Sequence, residues 1–562
     1  MDRRSTSGKN KIFDPALITA GIVFVFITIL TRSLTVNGNI VYSIPFLAVS
    51  LSASAIIGTG LGVLLGFLLD FSHKHIQISD ETEANKRSFF VFPVSFIIVL
   101  ISFIPYFLAY FPGILAYDSY IQIGQILNGQ YNEHHPLFHT LLIKFSLETG
   151  NKLFGSLNSG VAIYALLQCI LLSAVFAYGI FVLHRRGQRV YSLLVLLLTA
   201  LFPFNGYMAV SVTKDIPFSA FFLLSVILIS EIPDEKRSSF KYIKATLLFI
   251  SALLCVLFRN NAKYAYAFLA SVFIIILIVG LIGKNIGAVK NVLIIFLSVL
   301  LAIGAGLIIL TVLSGSLGAV QGDRREMLSV PIQQLARTYV YHAGVGVMPE
   351  DDNTMDEESK ALINEFLLYD SACLYRQDIS DPVKRNTNTW VVVNKTGEFA
   401  KTYLKLLKKY PGDYINAFLA LNAGFLDIGD ESHAHINENP PLKGLGYVQT
   451  RWSDTLFEDG FSKDPKWEYM SGILDKWAEE NFYLNIPILK YIFMPGVYLW
   501  IYIVFAINCI RRKNMKAAGV LALVTGYYIT MFFGPCVQLR YIYPVMITVP
   551  FLTLYGIRGK SE

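Results

Sequence analysis

Between Phe111 and Pro136 the chain gathers residues suited to proton transfer, metal binding and phosphate binding. Asp118 follows Pro112-Gly113, Gln122 and Gln125 come next, and His134-His135 stands directly before Pro136. A carboxylate near a membrane surface takes a proton from a hydroxyl acceptor or ligates a divalent metal through oxygen. Imidazoles bind a metal, a phosphate or a sugar hydroxyl, and Pro136 suits the first turn of a surface helix expected over Leu137 to Leu147. Each feature has a plain structural alternative: Asp118 as the N-cap of the following helix, and either histidine as a loop cap.

The other candidate residues are mostly cations. Lys214-Asp215 opens an apolar segment, with Asn205 and Tyr207 just before it as candidates for the same pocket, and Arg259-Asn260 and Lys263 fill a short connection between two apolar segments. Arg324, Arg325 and Arg337 follow a further apolar run, and Arg540-Tyr541 begins the last one. Arginine suits phosphate because its planar fork donates two hydrogen bonds at once. The alternatives are helix-start ion pairs, snorkelling at headgroups and mixed-charge surface faces.

These residues are positioned by a membrane. Hydrophobic residues make up 54% of 562 and charged residues 15%, against roughly a quarter charged in soluble domains. Apolar windows long enough to cross a hydrocarbon core as helices fall near 13–34, 41–70, 89–110, 159–183, 190–208, 215–231, 242–258, 264–283, 289–313, 486–510, 517–535 and 539–557. The expected class is an all-α polytopic membrane protein with about twelve spans. The first window is too long for a signal-peptide core and is expected to remain. Alternate loops carry Arg3 and Arg4; Lys86 and Arg87; Arg185, Arg186 and Arg189; Lys236 and Arg237; Lys284 and Lys290; Arg511, Arg512, Lys513 and Lys516; and Arg558 and Lys560. The positive-inside rule therefore places both termini in the cytoplasm. The net charge of +7 fits inner loops facing anionic membrane lipid and needs no nucleic-acid partner.

Four divisions follow: 1–88 with two spans, 89–313 with an outer loop over 111–158, an outer domain over 314–485 inserted before the last three spans, and 486–562. The outer domain, at about 170 residues, can bury its own core. Helical apolar spacing over Asp356 to Tyr369 and Thr396 to Lys409, the latter stopped by Pro411-Gly412, makes it mainly helical. Cys373 alone among five cysteines falls in it, so it has no internal disulfide, and no cysteine shows zinc-ligand spacing. A Walker-type loop is absent, which argues against ATP-driven transport by this chain alone.

Pro112-Gly113, Asp118, His135-Pro136, Lys214-Asp215, Arg259-Asn260 and Arg540-Tyr541, with a surface helix and a late outer domain, resemble the GT-C superfamily of membrane glycosyltransferases over about residues 89 to 560. More closely, they resemble an uncharacterised group of bacterial multispan proteins of that type. The resemblance implies transfer of a sugar from a polyprenyl-phosphate-linked donor to an envelope glycan, lipid or protein acceptor at the outer face of the cell membrane. It implies Asp118 as base or as ligand of Mg2+ or Mn2+, with His135 beside it. Lys214, Arg259 and Arg540 would take the phosphate, supported by His134, Gln122, Asp215, Asn260 and Arg337. Two spans precede the one leading to Asp118, where the superfamily commonly has one before its acidic loop. The competing expectations are a secondary transporter or flippase for a lipid-linked or anionic solute, and a non-catalytic envelope assembly protein.

Overall fold

The structure, a computed structural model, describes residues 13–40, 42–75, 88–116, 118–283, 286–368, 370–429 and 449–555. Tyr117 and the topology-setting residues Arg3, Arg4, Lys86, Arg87, Lys284, Arg558 and Lys560 lie outside them. Among the described residues the chain is helical, with isolated β-bridges and no strand.

Helix α1 (Pro15–Asn37) starts where Asp14 accepts from Ala16 N at 2.9 Å and ends at Gly38 in the left-handed region, φ 71°. It pairs with α2 (Ile44–His75) through backbone contact, since a Cβ on Gly58 would stand 2.5 Å from Ile22 Cα. Small residues allow such an approach inside a bilayer. Then come α3 (Val91–Ala109), the short α4 (Ser119–Asn128), α5 (Leu137–Phe154) and α6 (Leu157–Arg185). Helices α7 (Arg189–Leu201) and α8 (Pro203–Val210) form a pair bent by 56°. Proline at the start of α8 gives the break its cause. Helices α9 (Asp215–Glu231), α10 (Ser238–Phe258), α11 (Ala262–Ile282) and α12 (Ile286–Leu317) complete the first set.

Among the described residues, eight helices are long and apolar enough to cross a membrane, or nine counting the bent pair as one. The windows at 215–231, 486–510 and 539–557 fall on the 17-residue α9 and on the shorter apolar segments Pro495–Arg511 and Leu539–Tyr555. The chain is a multi-pass helical membrane protein.

Helix α9 lies at the centre. It is buried at every position except Phe221 and Leu224, as expected of a helix apolar all round. Phe218 and Phe222 join Phe103, Tyr207, Tyr527 and Tyr543 in one continuous core. At 17 residues it spans about 25 Å, and each end carries a buried acid, Asp215 (0% exposed) and Glu231 (2%).

A second core lies between α12 and the last helices. Helices α13 (Ser329–His342) and α14 (Glu357–Phe366), with Thr396–Lys409 and Pro411–Leu421, enclose Ile332, Val340, Phe366, Leu406 and Tyr414. Asp356 caps α14 by accepting from Ser359 N at 3.0 Å. The helix expected to reach Tyr369 ends at Phe366, because Leu367 pairs in a bridge with Thr387. Pro411 does separate two helices, and it also begins the second, where its missing N–H is no loss. Beyond Tyr414 the segment rejoins the bundle: Phe425, Leu474 and Tyr483 belong to the main core, and Trp452, Leu456 and Phe461 pack on Leu115, Ile123 and Ile143. All five cysteines are free thiols.

Candidate functional site

The site is built where two short extended segments run side by side. After α3 the chain turns at Pro112-Gly113, and Ile114 N donates to Val210 O at 2.9 Å while Val212 N donates to Ile114 O at 2.9 Å. Gly113 permits the approach, since a Cβ there would press on Val210 O at 3.3 Å. Gln168 of α6 holds the second segment by donating Nε2 to Met208 O, Ala209 O and Ser211 O at 2.8 to 3.0 Å. This pairing carries Asp118 to Lys214, whose Nζ donates to Asp118 Oδ2 at 2.6 Å. Asp118 occupies the N-cap position of α4 but makes no side-chain cap bond. Its carboxylate is turned toward cations instead.

Three further elements complete the cluster. Lys214 Nζ also donates to His135 Nδ1 at 3.1 Å, and that nitrogen lies 3.8 Å from Asp118 Oδ2. Arg540 NH1 reaches Asp118 Oδ2 at 3.1 Å and Asp215 Oδ2 at 3.5 Å. Arg259 NH1 donates to Asp215 Oδ1 at 2.9 Å, and its guanidinium is enclosed by the rings of Phe218, Tyr527 and Tyr541, 5.1 to 5.6 Å away. Asp215 thus joins two arginines brought from separate elements, Arg259 from the end of α10 and Arg540 from the helix Leu539–Thr548.

Two carboxylates and three permanent cations leave the cluster with one surplus positive charge. Burial alone would raise the Asp118 carboxyl, but Arg540 and Lys214 outweigh it and hold the group well below the usual carboxylate range. Burial and the neighbouring Lys214 push the His135 imidazole down to about 3, so it is neutral. An ammonium only donates, hence Nδ1 of His135 accepts and Nε2 carries the hydrogen. That Nε2 is buried and has no partner among the described residues.

Beneath the cluster lies a neutral hydrogen-bonded layer. His139 Nδ1 donates to Gln122 Oε1 at 2.8 Å, Gln122 Nε2 donates to Thr140 Oγ1 at 2.8 Å, and the Tyr164 hydroxyl donates to His139 Nε2 at 2.7 Å. Burial and then Lys214 push His139 also to about 3. Gln122 therefore braces the site from below. His139 and Gln168 are positioning residues that the sequence reading missed. The four-residue spacing of His135 and His139, one helical turn, was the available signal for the first.

The remaining candidates separate. His134 stacks edge-on against His135, with ring centroids 4.5 Å apart, but is half exposed and faces Glu326 at 3.8 Å. Asn260 Nδ2 donates to Glu133 O at 3.3 Å at the rim. Arg337 makes its bonds elsewhere: fully buried, it binds Asp413 at 3.2 Å, Gly38 O at 3.2 Å and Asn39 Oδ1 at 3.1 Å, and so ties the α1–α2 turn to the second core. Arg325 pairs with Asp323 and donates to Arg385 O, the fate of a mixed charge run. Asn205 and Tyr207 are occupied by packing, through Thr199 O, the Tyr543 hydroxyl and Leu474 O. Among the described residues, no group of three or more His, Cys, Asp or Glu side chains is arranged to hold a metal ion.

No curated protein and no solved structure matches the chain. A family of unknown function, DUF6020, matches residues 127–562, a segment that includes His135, Lys214, Asp215, Arg259 and Arg540 and begins after Asp118. With most of its length matched, the chain belongs to the DUF6020 family.

Proposed function

We propose that this protein is a membrane glycosyltransferase of GT-C type that moves a sugar from a polyprenyl-phosphate-linked donor to an envelope acceptor. In this reading the bundle makes twelve crossings, counting the bent pair and the three shorter apolar helices. Both termini face the cytoplasm, and 314–485 and the Asp118 cluster face outward. The observation that carries it is the convergence of Asp118, His135, Lys214, Asp215, Arg259 and Arg540 from separate elements at one end of α9.

The chemistry follows from the charges. Lys214 and Arg540 both contact Oδ2 of Asp118, and Oδ1 has no partner among the described residues. In the resting cluster Asp118 is a weak base, because the two cations stabilise its anion. A donor phosphate competes for Lys214 and Arg540, which raises the basicity of Asp118 as the donor binds. The acceptor hydroxyl then gives its proton to Asp118, its oxygen bonds to the sugar carbon, and the sugar–phosphate bond breaks. Polyprenyl phosphate leaves with the electron pair, its charge held by the same cations.

A divalent ion fits poorly at Asp118. Two permanent cations already stand within 3.1 Å of its Oδ2, and a third positive centre would be repelled by both. We therefore propose transfer that needs neither Mg2+ nor Mn2+.

The test is release of polyprenyl phosphate from a polyprenyl-phosphoryl sugar by the purified chain. Asp118→Asn lowers release by about 100-fold or more with the helical content retained, and Arg540→Lys raises KM more than it lowers kcat. Full turnover in Asp118→Asn refutes the assignment of the base. The broken pair α7–α8, like the twelve crossings, favours a transporter; movement of the lipid-linked substrate across proteoliposomes without sugar transfer would establish that reading instead.

A further inference from the structure

Arg540 lies in the first turn of the helix Leu539–Thr548, where backbone N–H groups lack intrahelical partners and helix ends fray. A guanidinium that must face two carboxylates at once therefore needs support from outside its own helix. The segment 376–380 supplies it. Ser380 N donates to Pro535 O at 2.9 Å, and Ile379 stands opposite Cys536 in an antiparallel bridge. Ile379, Cys536 and the ring of Tyr541 close a small apolar core of their own. From this grip two routes lead to the arginine. Gln538, just beyond Cys536 in the chain, accepts from Arg540 Nε at 2.6 Å, and the Tyr541 hydroxyl accepts from Arg540 NH2 at 3.3 Å. NH1 is thereby directed at Asp118 and Asp215.

The gripping segment is itself held from behind. It runs between Tyr375 and Val383, both of the second core. Arg376 and Ile379 pair across a tight turn, and Gln333 of α13, fully buried, donates Nε2 to both of their carbonyls, at 2.6 and 3.2 Å. An amide that gives both hydrogens to two carbonyls of one turn fixes where that turn lies. Buried Lys384 anchors the far side, binding Asp381 at 2.8 Å and Glu326 at 2.7 Å. Glu326 follows the segment whose Val320 exchanges backbone bonds with Tyr131 and Glu133, beside His134 and His135. The second core thus holds both outer loops that lead into the cluster.

We propose that Gln333 is a positioning residue for the cluster: through 376–380 and Gln538 it fixes Arg540, so that the outer second core sets how tightly the cluster binds phosphate. The inference rests on the phosphate reading given above.

Binding of undecaprenyl phosphate to the full chain in detergent micelles is measured by titration calorimetry. Gln333→Leu, which keeps the side-chain volume and loses both donors, is expected to weaken binding about tenfold, the effect of one impaired hydrogen bond to a charged group. Gln538→Leu cuts the same route without touching the second core and weakens binding as well. A third change, Ile379→Cys, replaces the grip by a covalent one, because opposed residues of an antiparallel pair have Cα atoms about 4.5–5.5 Å apart, within reach of a disulfide. Added to Gln333→Leu and oxidised onto Cys536, it is expected to restore the wild-type affinity, and reduction to remove it again. Packing lost elsewhere in the second core would not respond to oxidation. Wild-type affinity in Gln333→Leu or in Gln538→Leu overturns the inference and leaves the phosphate reading in place, and so does a loss that the disulfide fails to correct. Failure of the disulfide to form refutes the pairing on which the inference stands. Wild type that binds no undecaprenyl phosphate refutes the phosphate reading and this inference with it.

Discussion

Replacing Asp215 by asparagine tests whether the cluster is held by charge. The side chain is fully buried, and each oxygen faces its own guanidinium, Arg259 at 2.9 Å and Arg540 at 3.5 Å. At an effective dielectric of about 20, each such pair attracts by roughly 4 kcal/mol, and desolvation removes part of that. Removing one partner of a buried pair typically costs about 3–5 kcal/mol, because the other charge is left without compensation. The rings around Arg259 offset about 2 kcal/mol of this. Asparagine keeps the shape and one acceptor, so the loss reports the charge together with the one acceptor that becomes an NH2 donor facing a guanidinium. We expect Asp215→Asn to lower the unfolding free energy in detergent micelles by about 3 kcal/mol. Adding Arg259→Met, which removes the orphaned cation, recovers at least about 1.5 kcal/mol of it relative to the sum of the single changes. Additivity within about 0.5 kcal/mol would refute the coupling.

Acid titration reads the neutral layer. His135 and His139 titrate near 3 in the fold and at about 6.5 when unfolded, so the unfolded state binds more protons between those values and stability falls as pH drops from 6.5 toward 3. His139→Gln should flatten that slope, and an unfolding free energy constant from pH 6.5 to 4 would contradict the assignment of neutral imidazoles. Arg337→Met is expected to lower stability by about 3 kcal/mol through the lost link between the α1–α2 turn and Asp413, while leaving sugar transfer intact below the melting temperature; lost transfer in a folded variant would return Arg337 to the site. Chelation by EDTA should leave release of polyprenyl phosphate unchanged, and a requirement for added Mg2+ or Mn2+ would refute the metal-free reading.

The sequence made some of this legible through composition and punctuation. Apolar windows located the helices, the spacing from Asp356 onward marked the start of α14, and the lone Cys373 ruled out a disulfide within the second core. It did not show that the polar part of 314–485 divides, because Phe425, Leu474 and Tyr483 differ from Val340 and Leu406 in the core they enter, not in type. For the same reason Arg337 resembled Arg540. Both are arginines following an apolar run, and only the partners Asp413 and Asn39 on one side and Asp118 and Asp215 on the other distinguish them.

Convergence was the hardest feature to read, since Arg540 and Asp118 are 422 positions apart. Yet one local pattern bears on it. The segment after Lys214 is apolar on every face, which marks a helix surrounded by protein. An acid at the first position of such a helix enters the interior unless it stops at the surface, and a buried carboxylate needs cationic or hydrogen-bonding partners. The nearest sequence neighbour, Lys214, is turned to Asp118, so the partners of Asp215 had to come from other elements. The cations expected at the outer ends of apolar segments were few, and Arg259 and Arg540 were two of them. A central helix with a buried acid at its start therefore implies a charge cluster at that end, and the same argument applied to Glu231 implies the second cluster with Arg185, Arg186 and Lys244 at the other.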